Sequence, residues 1–160
     1  MHRIVSENTS KLHSDHVNRN RLDNRSENLR ICNAKNNNYN AEVRKDNKFG
    51  FKNTTLYQGL YRCMIRINTT KQYFGSYPKP EMSAMAYNVA MDFIAPGFAV
   101  LNDIPEGRLT SEEIELVEKT VNRRLEKIYG VQTEKTGSKV ELIEGSGFSF
   151  VKNKLIDKIV

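Results

Sequence analysis

Asp15 and His16 are adjacent, Asn28 follows His16 by twelve residues, and Asn37 follows Asn28 by nine. Those residue types suit the hydrolysis of a DNA phosphodiester. A neutral imidazole can take a proton from water at physiological pH. The charge that builds on the phosphate and the leaving oxygen needs a counter-charge, which a hard divalent cation supplies. Such an ion wants oxygen ligands and keeps several waters. Asp15 and the amide oxygen of Asn37 could supply two ligands, and the amide of Asn28 could hold the imidazole in its working tautomer. One Mg²⁺ or Mn²⁺ fits this donor set equally well. Adjacent strand residues face opposite ways, so Asp15 and His16 can share a site only where their strand ends or twists. His13 lies three residues before His16. It is expected to be a stray surface residue, because a zinc pair there would lack two further ligands.

The elements that must position these residues can be read in three regions. In residues 1–45, Ile4-Val5 and Ser14–Val17 suit short extended pieces. Residues 18–24 form a turn-rich loop, and Asn28–Cys32 alternates as a strand does. Asn33 can cap a short helix from Ala34 to about Ala41. In residues 46–104, Leu60–Ile67 alternates, with Tyr61, Cys63, Ile65 and Ile67 on one face. Asn68-Thr69-Thr70 is a turn, and Lys71–Gly75 continues as a paired strand. Met82, Met85, Ala86, Val89, Ala90 and Phe93 then recur at helical spacing, and the methionines read as core filling. Phe98–Leu101 is a short apolar segment suited to packing back on the sheet. In residues 105–160, Thr110-Ser111-Glu112-Glu113 is a capping box, Ile114, Val117, Val121, Leu125 and Ile128 form one stripe, and Gly130 is a stop. Residues 140–151 suit a hairpin.

Composition narrows the classes. Eleven of the first fifty residues are Asn, which disfavours helix and strand interiors. This segment must therefore be held by something other than a large core. Residues 1–50 carry ten basic and six acidic side chains, residues 51–104 five and three, and residues 105–160 ten and ten. The net charge of +6 thus lies entirely in the first 104 residues, which favours nucleic acid or an anionic surface as partner. No run approaches the roughly 18 apolar residues of a membrane span, and none marks a signal peptide. Cys32 and Cys63 form no metal spacing and read as buried thiols in a reducing cytosol.

The stretch Asp15-His16-Val17-Asn18-Arg19-Asn20-Arg21-Leu22-Asp23-Asn24-Arg25-Ser26-Glu27-Asn28-Leu29-Arg30 resembles the phage-type HNH endonuclease pattern D-H-I-N-x-N-x-L-D-N-R-x-E-N-L-R almost throughout. His2-Arg3-Ile4 is similar to the H-R-L strand before it. The resemblance implies a ββα-metal unit with His16 as general base, Asn28 orienting it, and Asp15 and Asn37 binding the cation. Asn37 is chosen by spacing among Asn36, Asn37 and Asn38. Relatives often carry further strands upstream, which leaves a naturally short form, a truncated start and a decaying copy all open.

Tyr61-Arg62-Cys63-Met64-Ile65-Arg66-Ile67 stands where the AP2 DNA-binding family has W-R-A-x-I. Phe74-Gly75-Ser76-Tyr77 is similar to its L-G-x-F, Ala86–Ala90 to its A-Y-D-x-A, and Phe98–Asn102 to its F-A-x-L-N. That resemblance implies a three-stranded antiparallel sheet in the DNA major groove, backed by one helix, with a first strand near Gly50–Leu56. Arg62, Arg66, Lys71 and Tyr73 would then face the DNA, where Arg can read guanine and Lys meets phosphate. The two units occur together in phage-type homing endonucleases.

The expectation is an α+β chain of three parts. An HNH module over 1–45 precedes an AP2-like domain over 46–104 and a helix with a tail over 105–160. It would nick or cleave double-stranded DNA with one divalent cation, in a bacterial host's cytoplasm and away from any membrane. The alternative is a DNA-binding relic or regulator without catalysis. The helix stripe of residues 105–160 could cover the edge of the AP2-like sheet, form a dimer or bind a partner, and the oligomeric state is not readable.

Overall fold

The structure is a computed structural model and describes residues 12–130. His2, the Ile4-Val5 strand and the 140–151 hairpin lie outside the described residues. The described chain is α+β, with two antiparallel sheets and three α-helices.

A hairpin of β1 (His13–His16) and β2 (Leu29–Cys32) opens the chain and is followed by α1 (Ala34–Tyr39). Register pairs Asp15 with Arg30 and His16 with Leu29. β1 stops one residue short of Val17, because the chain turns through Arg19 at φ 63°. Asn28 falls in a 3-10 turn (Ser26–Asn28) and not in β2. Asn33 caps α1 as expected, its side-chain oxygen accepting from the Asn36 N–H at 2.8 Å. α1 packs against both strands.

The second sheet runs β3 (Thr54–Tyr57), β4 (Leu60–Ile67) and β5 (Thr70–Tyr77), in that spatial order. α2 (Pro80–Ile94) begins with proline in its first turn, where a missing N–H costs nothing. α3 (Ser111–Tyr129) carries the expected capping box and ends at Gly130. Cys63, Ile65, Ile67, Phe74 and Tyr77 turn inward from the sheet, and Met82, Met85, Tyr87 and Met91 meet them from α2. Val117, Val121 and Leu125 of α3 join the same core. Of the residues read as the α2 stripe, Phe93 lies at its rim, against Tyr129 with ring centroids 5.3 Å apart. Both cysteines are buried free thiols, and burial pushes the Cys63 thiol up. No helix among the described residues is long and apolar enough to cross a membrane.

β5 continues past Gly75 because a bulge resets its alternation. Arg62 pairs with Ser76, but Met64 pairs with Tyr73, so β5 holds one residue more than β4 there. Phe74 and Tyr77 therefore both face inward although they are three apart. Gly75 makes this possible at φ 124°, and a Cβ there would collide with the Tyr77 hydroxyl and ring. Gly75→Ala is expected to cost about 1–3 kcal/mol in backbone strain alone, read as a lower urea midpoint with circular dichroism.

The ββα unit has little core of its own and is docked on the larger one. Arg30 donates to the carbonyls of Gly97 and Phe98, and its guanidinium lies 4.0 Å from the Phe98 ring centre. The Tyr39 hydroxyl donates to the Arg66 carbonyl at 3.3 Å, and the Val100 N–H donates to the Tyr39 carbonyl at 3.1 Å. Lys52 Nζ donates to the carbonyls of Tyr39 at 2.9 Å and Ala41 at 2.7 Å. Asn102 supports this seam. Its side-chain oxygen accepts from the Lys52 N–H at 2.6 Å, and its backbone exchanges two bonds with the Asn88 amide.

Burial brings the Lys52 ammonium down to about 8 from its ordinary 10.5, with the charge of Arg19 adding to the effect. The folded state therefore gives up this proton before the unfolded chain does. The burial penalty is fully present below pH 8 and is relieved as pH rises from about 8 towards 10.5. The stability of the native chain relative to Lys52→Met is expected to rise between pH 7.5 and 9.5, measured by paired urea titrations. A flat difference would mean that the amine stays charged across this range.

Candidate functional site

β1 ends at His16, which meets the geometric condition for Asp15 and His16 to serve one site. Asp15 is buried, and its carboxylate accepts from Arg30 Nε at 2.9 Å. Asn40 Nδ2 lies 2.9 Å from Oδ1 and 3.0 Å from Oδ2 of the same group, and 2.9 Å from the His16 carbonyl. One amide thus fixes both the carboxylate and the end of the strand.

Asn24 Oδ1 lies 3.2 Å from His16 Nε2. The Asn24 Nδ2 donates to the Leu22 carbonyl at 3.4 Å, which assigns its oxygen to the ring. The contact with Asn24 Oδ1 fixes the orientation of the imidazole from its Nε2 side.

Asn28 was expected to orient the imidazole. The two amide bonds given to it hold the loop instead. Its Oδ1 accepts from the Asn18 N–H at 2.9 Å, and its Nδ2 donates to the Asp23 carbonyl at 2.7 Å. Asn28 therefore holds the loop that carries Asn24. Further side-chain bonds brace that loop, from Asn18 Nδ2 to Asp23 at 2.8 Å and from Arg25 to both Asp23 oxygens at 2.8 Å. The Arg25 guanidinium holds the Asp23 carboxyl well below the usual carboxylate range. These bonds are what the asparagine-rich segment uses in place of a core.

Asn37 is half-buried on α1, and its side-chain amide is given no partner among the described residues. Asn36 and Asn37 lie four and three residues before Asn40, so both share its helical face, the one turned to Asp15, and Asn38 does not.

The donors present suit a hard cation. The two hydrogens of Asn40 Nδ2 are shared among the His16 carbonyl and both Asp15 oxygens, and Oδ2 also accepts from Arg30 Nε, which leaves Oδ1 the less engaged oxygen. Among the described residues, no group of three or more His, Cys, Asp or Glu gathers as a metal set. One carboxylate and an amide oxygen match an ion that keeps most of its waters and do not match zinc. His13 is exposed at the start of β1. Sequence reasoning missed Asn24 and Asn40, two among many asparagines. It also missed Arg30 as the partner of Asp15, although Arg30 closed the quoted motif.

The outward face of the three-stranded sheet carries the other expected residues. Arg62 lies 3.6 Å above the Tyr57 ring centre and 6.0 Å from that of Tyr73, and its buried Nε has no hydrogen-bond partner. Tyr73 is exposed, and its hydroxyl donates to Ser76 Oγ at 2.8 Å. Arg66 and Lys71 are exposed register partners. Like charges directly opposite repel, and neither has an ion pair among the described residues.

A scan of the chain against models of known protein families returns no match, and a search of curated proteins returns none.

Proposed function

We infer that this chain is a metal-dependent endonuclease of the HNH kind, with an AP2-like sheet that anchors double-stranded DNA. The observation that carries the reading is the closing of β1, β2 and α1 around Asp15, with His16 ending the strand beside it. The His16 imidazole takes a proton from the water that attacks phosphorus, and the P–O bond to the leaving oxygen breaks. Asn24 holds the ring from its Nε2 side, and Asn28 keeps the loop that presents Asn24. Asp15 and Asn37 would hold Mg²⁺ or Mn²⁺, which supplies the counter-charge for the phosphate and the leaving oxygen. The unpaired Arg66 and Lys71, with the Tyr57–Arg62–Tyr73 stack, support the sheet as the DNA-facing surface.

One observation favours a second reading. Arg30 and Asn40 already occupy much of the Asp15 carboxylate, as they would in a DNA-binding protein without catalysis. Supercoiled plasmid and a long phage genomic fragment, incubated with Mg²⁺, Mn²⁺ or EDTA, separate the two. Open circles or linear product that need metal support the nuclease. Retardation on a gel without cutting in either metal supports the binding protein.

A further inference from the structure

We propose that the C-terminal half of α3 and the edge of β5 form a second contact to duplex DNA, a clamp on the phosphate backbone beside the sheet face. This rests on the reading of the sheet as a DNA-facing surface and assigns a role to a helix that had none.

A groove of about 130 Å³ runs between Tyr73–Gly75 on β5 and Thr120, Arg123, Arg124 and Lys127 on α3. The charges on α3 are segregated along its length. Glu112, Glu113, Glu115 and Glu118 occupy the first half, and Glu113 pairs with Lys79 at 2.7 Å. Lys119 stands just before the midpoint, and Arg123, Arg124 and Lys127 occupy the second half, with Glu126 among them. Arg123 and Lys127 are exposed, and neither has an ion pair among the described residues. Arg124 reaches into the groove wall, where Nη2 donates to Gln72 Oε1 at 2.8 Å. Its Nε is shielded from solvent and has no hydrogen-bond partner among the described residues. Among those residues its positive charge is met by a neutral amide and by no carboxylate.

Three cations without carboxylate partners along one groove suit an anion. A free phosphate and a duplex backbone share that chemistry. Continuity favours the duplex, because Tyr73 belongs both to the groove and to the outward face that carries Arg62, Arg66 and Lys71. DNA lying on that face would carry its backbone past the β5 edge, where these cations stand. Backbone contacts of this kind position a protein without reading sequence.

The test is fluorescence anisotropy of the full chain on labelled duplexes of several sequences, over a range of salt. Arg123→Ala/Lys127→Ala should weaken every duplex about equally and flatten the slope of log affinity against log salt by about 2, at about 0.9 per phosphate contact. Both side chains are exposed, so thermal unfolding should not change. Inorganic phosphate at the ionic strength of a chloride control should not compete specifically. Selective competition, with the salt slope of the variant unchanged, would make the groove a small-anion site and overturn the clamp. If Arg66→Ala/Lys71→Ala weakens binding while Arg123→Ala/Lys127→Ala keeps the full slope, the clamp fails and the sheet reading stands. If the α3 pair abolishes binding and the sheet pair does not, the clamp stands and the sheet reading fails. If the native chain retains no duplex at any salt, both fall.

Discussion

His16→Ala should lower metal-dependent cleavage of plasmid DNA by about 10²–10⁴-fold, the range for loss of a positioned general base. Duplex affinity and thermal midpoint should stay near those of the native chain. His16 is the last residue of its strand, so truncation leaves the register of β1 and β2 in place. The backbone carbonyl that Asn40 uses also remains. Asn28→Ala should behave differently. It removes both amide bonds to the loop and leaves two partly buried backbone groups without those partners, so rate and stability should fall together. Single-turnover cleavage beside a thermal melt separates the two patterns. Equal rates for the native chain and His16→Ala would end the assignment of His16 as base.

Leu125→Ala is expected to destabilise the chain by about 2–5 kcal/mol, the range for truncating a buried leucine. Leu125 is 2% exposed and shares its core with Phe74 of the sheet and Met82 of α2. Small domains keep a margin of about 5–15 kcal/mol, so this one change would remove a large part of it. Urea denaturation followed by circular dichroism gives the number. A loss under about 1 kcal/mol would mean that α3 only rests on the surface. The larger loss would make α3 part of the same folding unit as the sheet, which bears on any version of the chain shortened before Ser111.

Legibility in the sequence followed how local the cause was. α3 could be read end to end because Thr110, Glu113 and Gly130 are local signals and its stripe has one period. What the stripe would cover could not be read, because periodicity says that a face is buried and not against what. β4 was legible over its whole length because one face is buried and the other is not. The bulge at Gly75 was hidden, since Phe74 and Tyr77 break the period of two that made the strand visible. β3 was displaced towards Tyr57, because Gly50–Asn53 spend their residues on turns, with Asn53 at φ 58°. In the candidate site, the positions of Asp15, His16 and Asn28 followed from motif spacing. The work of the Asn28 amide did not, because an asparagine bonded to its own loop and one bonded to a ring look alike in sequence. Asn40 was invisible for the same reason, three residues beyond the asparagine that spacing selected.

The seam between the hairpin unit and the sheet has a consequence for how freely this chain can vary. Arg30, Lys52 and Tyr39 donate to the carbonyls of residues 97, 98, 39, 41 and 66, and every amino acid supplies a carbonyl. Apart from the ring of Phe98, the accepting side of the joint therefore places almost no demand on residue identity. Substitutions can accumulate along those segments while the two units stay in fixed alignment, and the constraint falls on the three donors, on Phe98 and on the Asn88–Asn102 pair behind Lys52. The spacing between the hairpin unit and the sheet can thus outlast the sequences that flank it; on the endonuclease reading proposed above, target preference would drift while the cut kept its distance from the bound site.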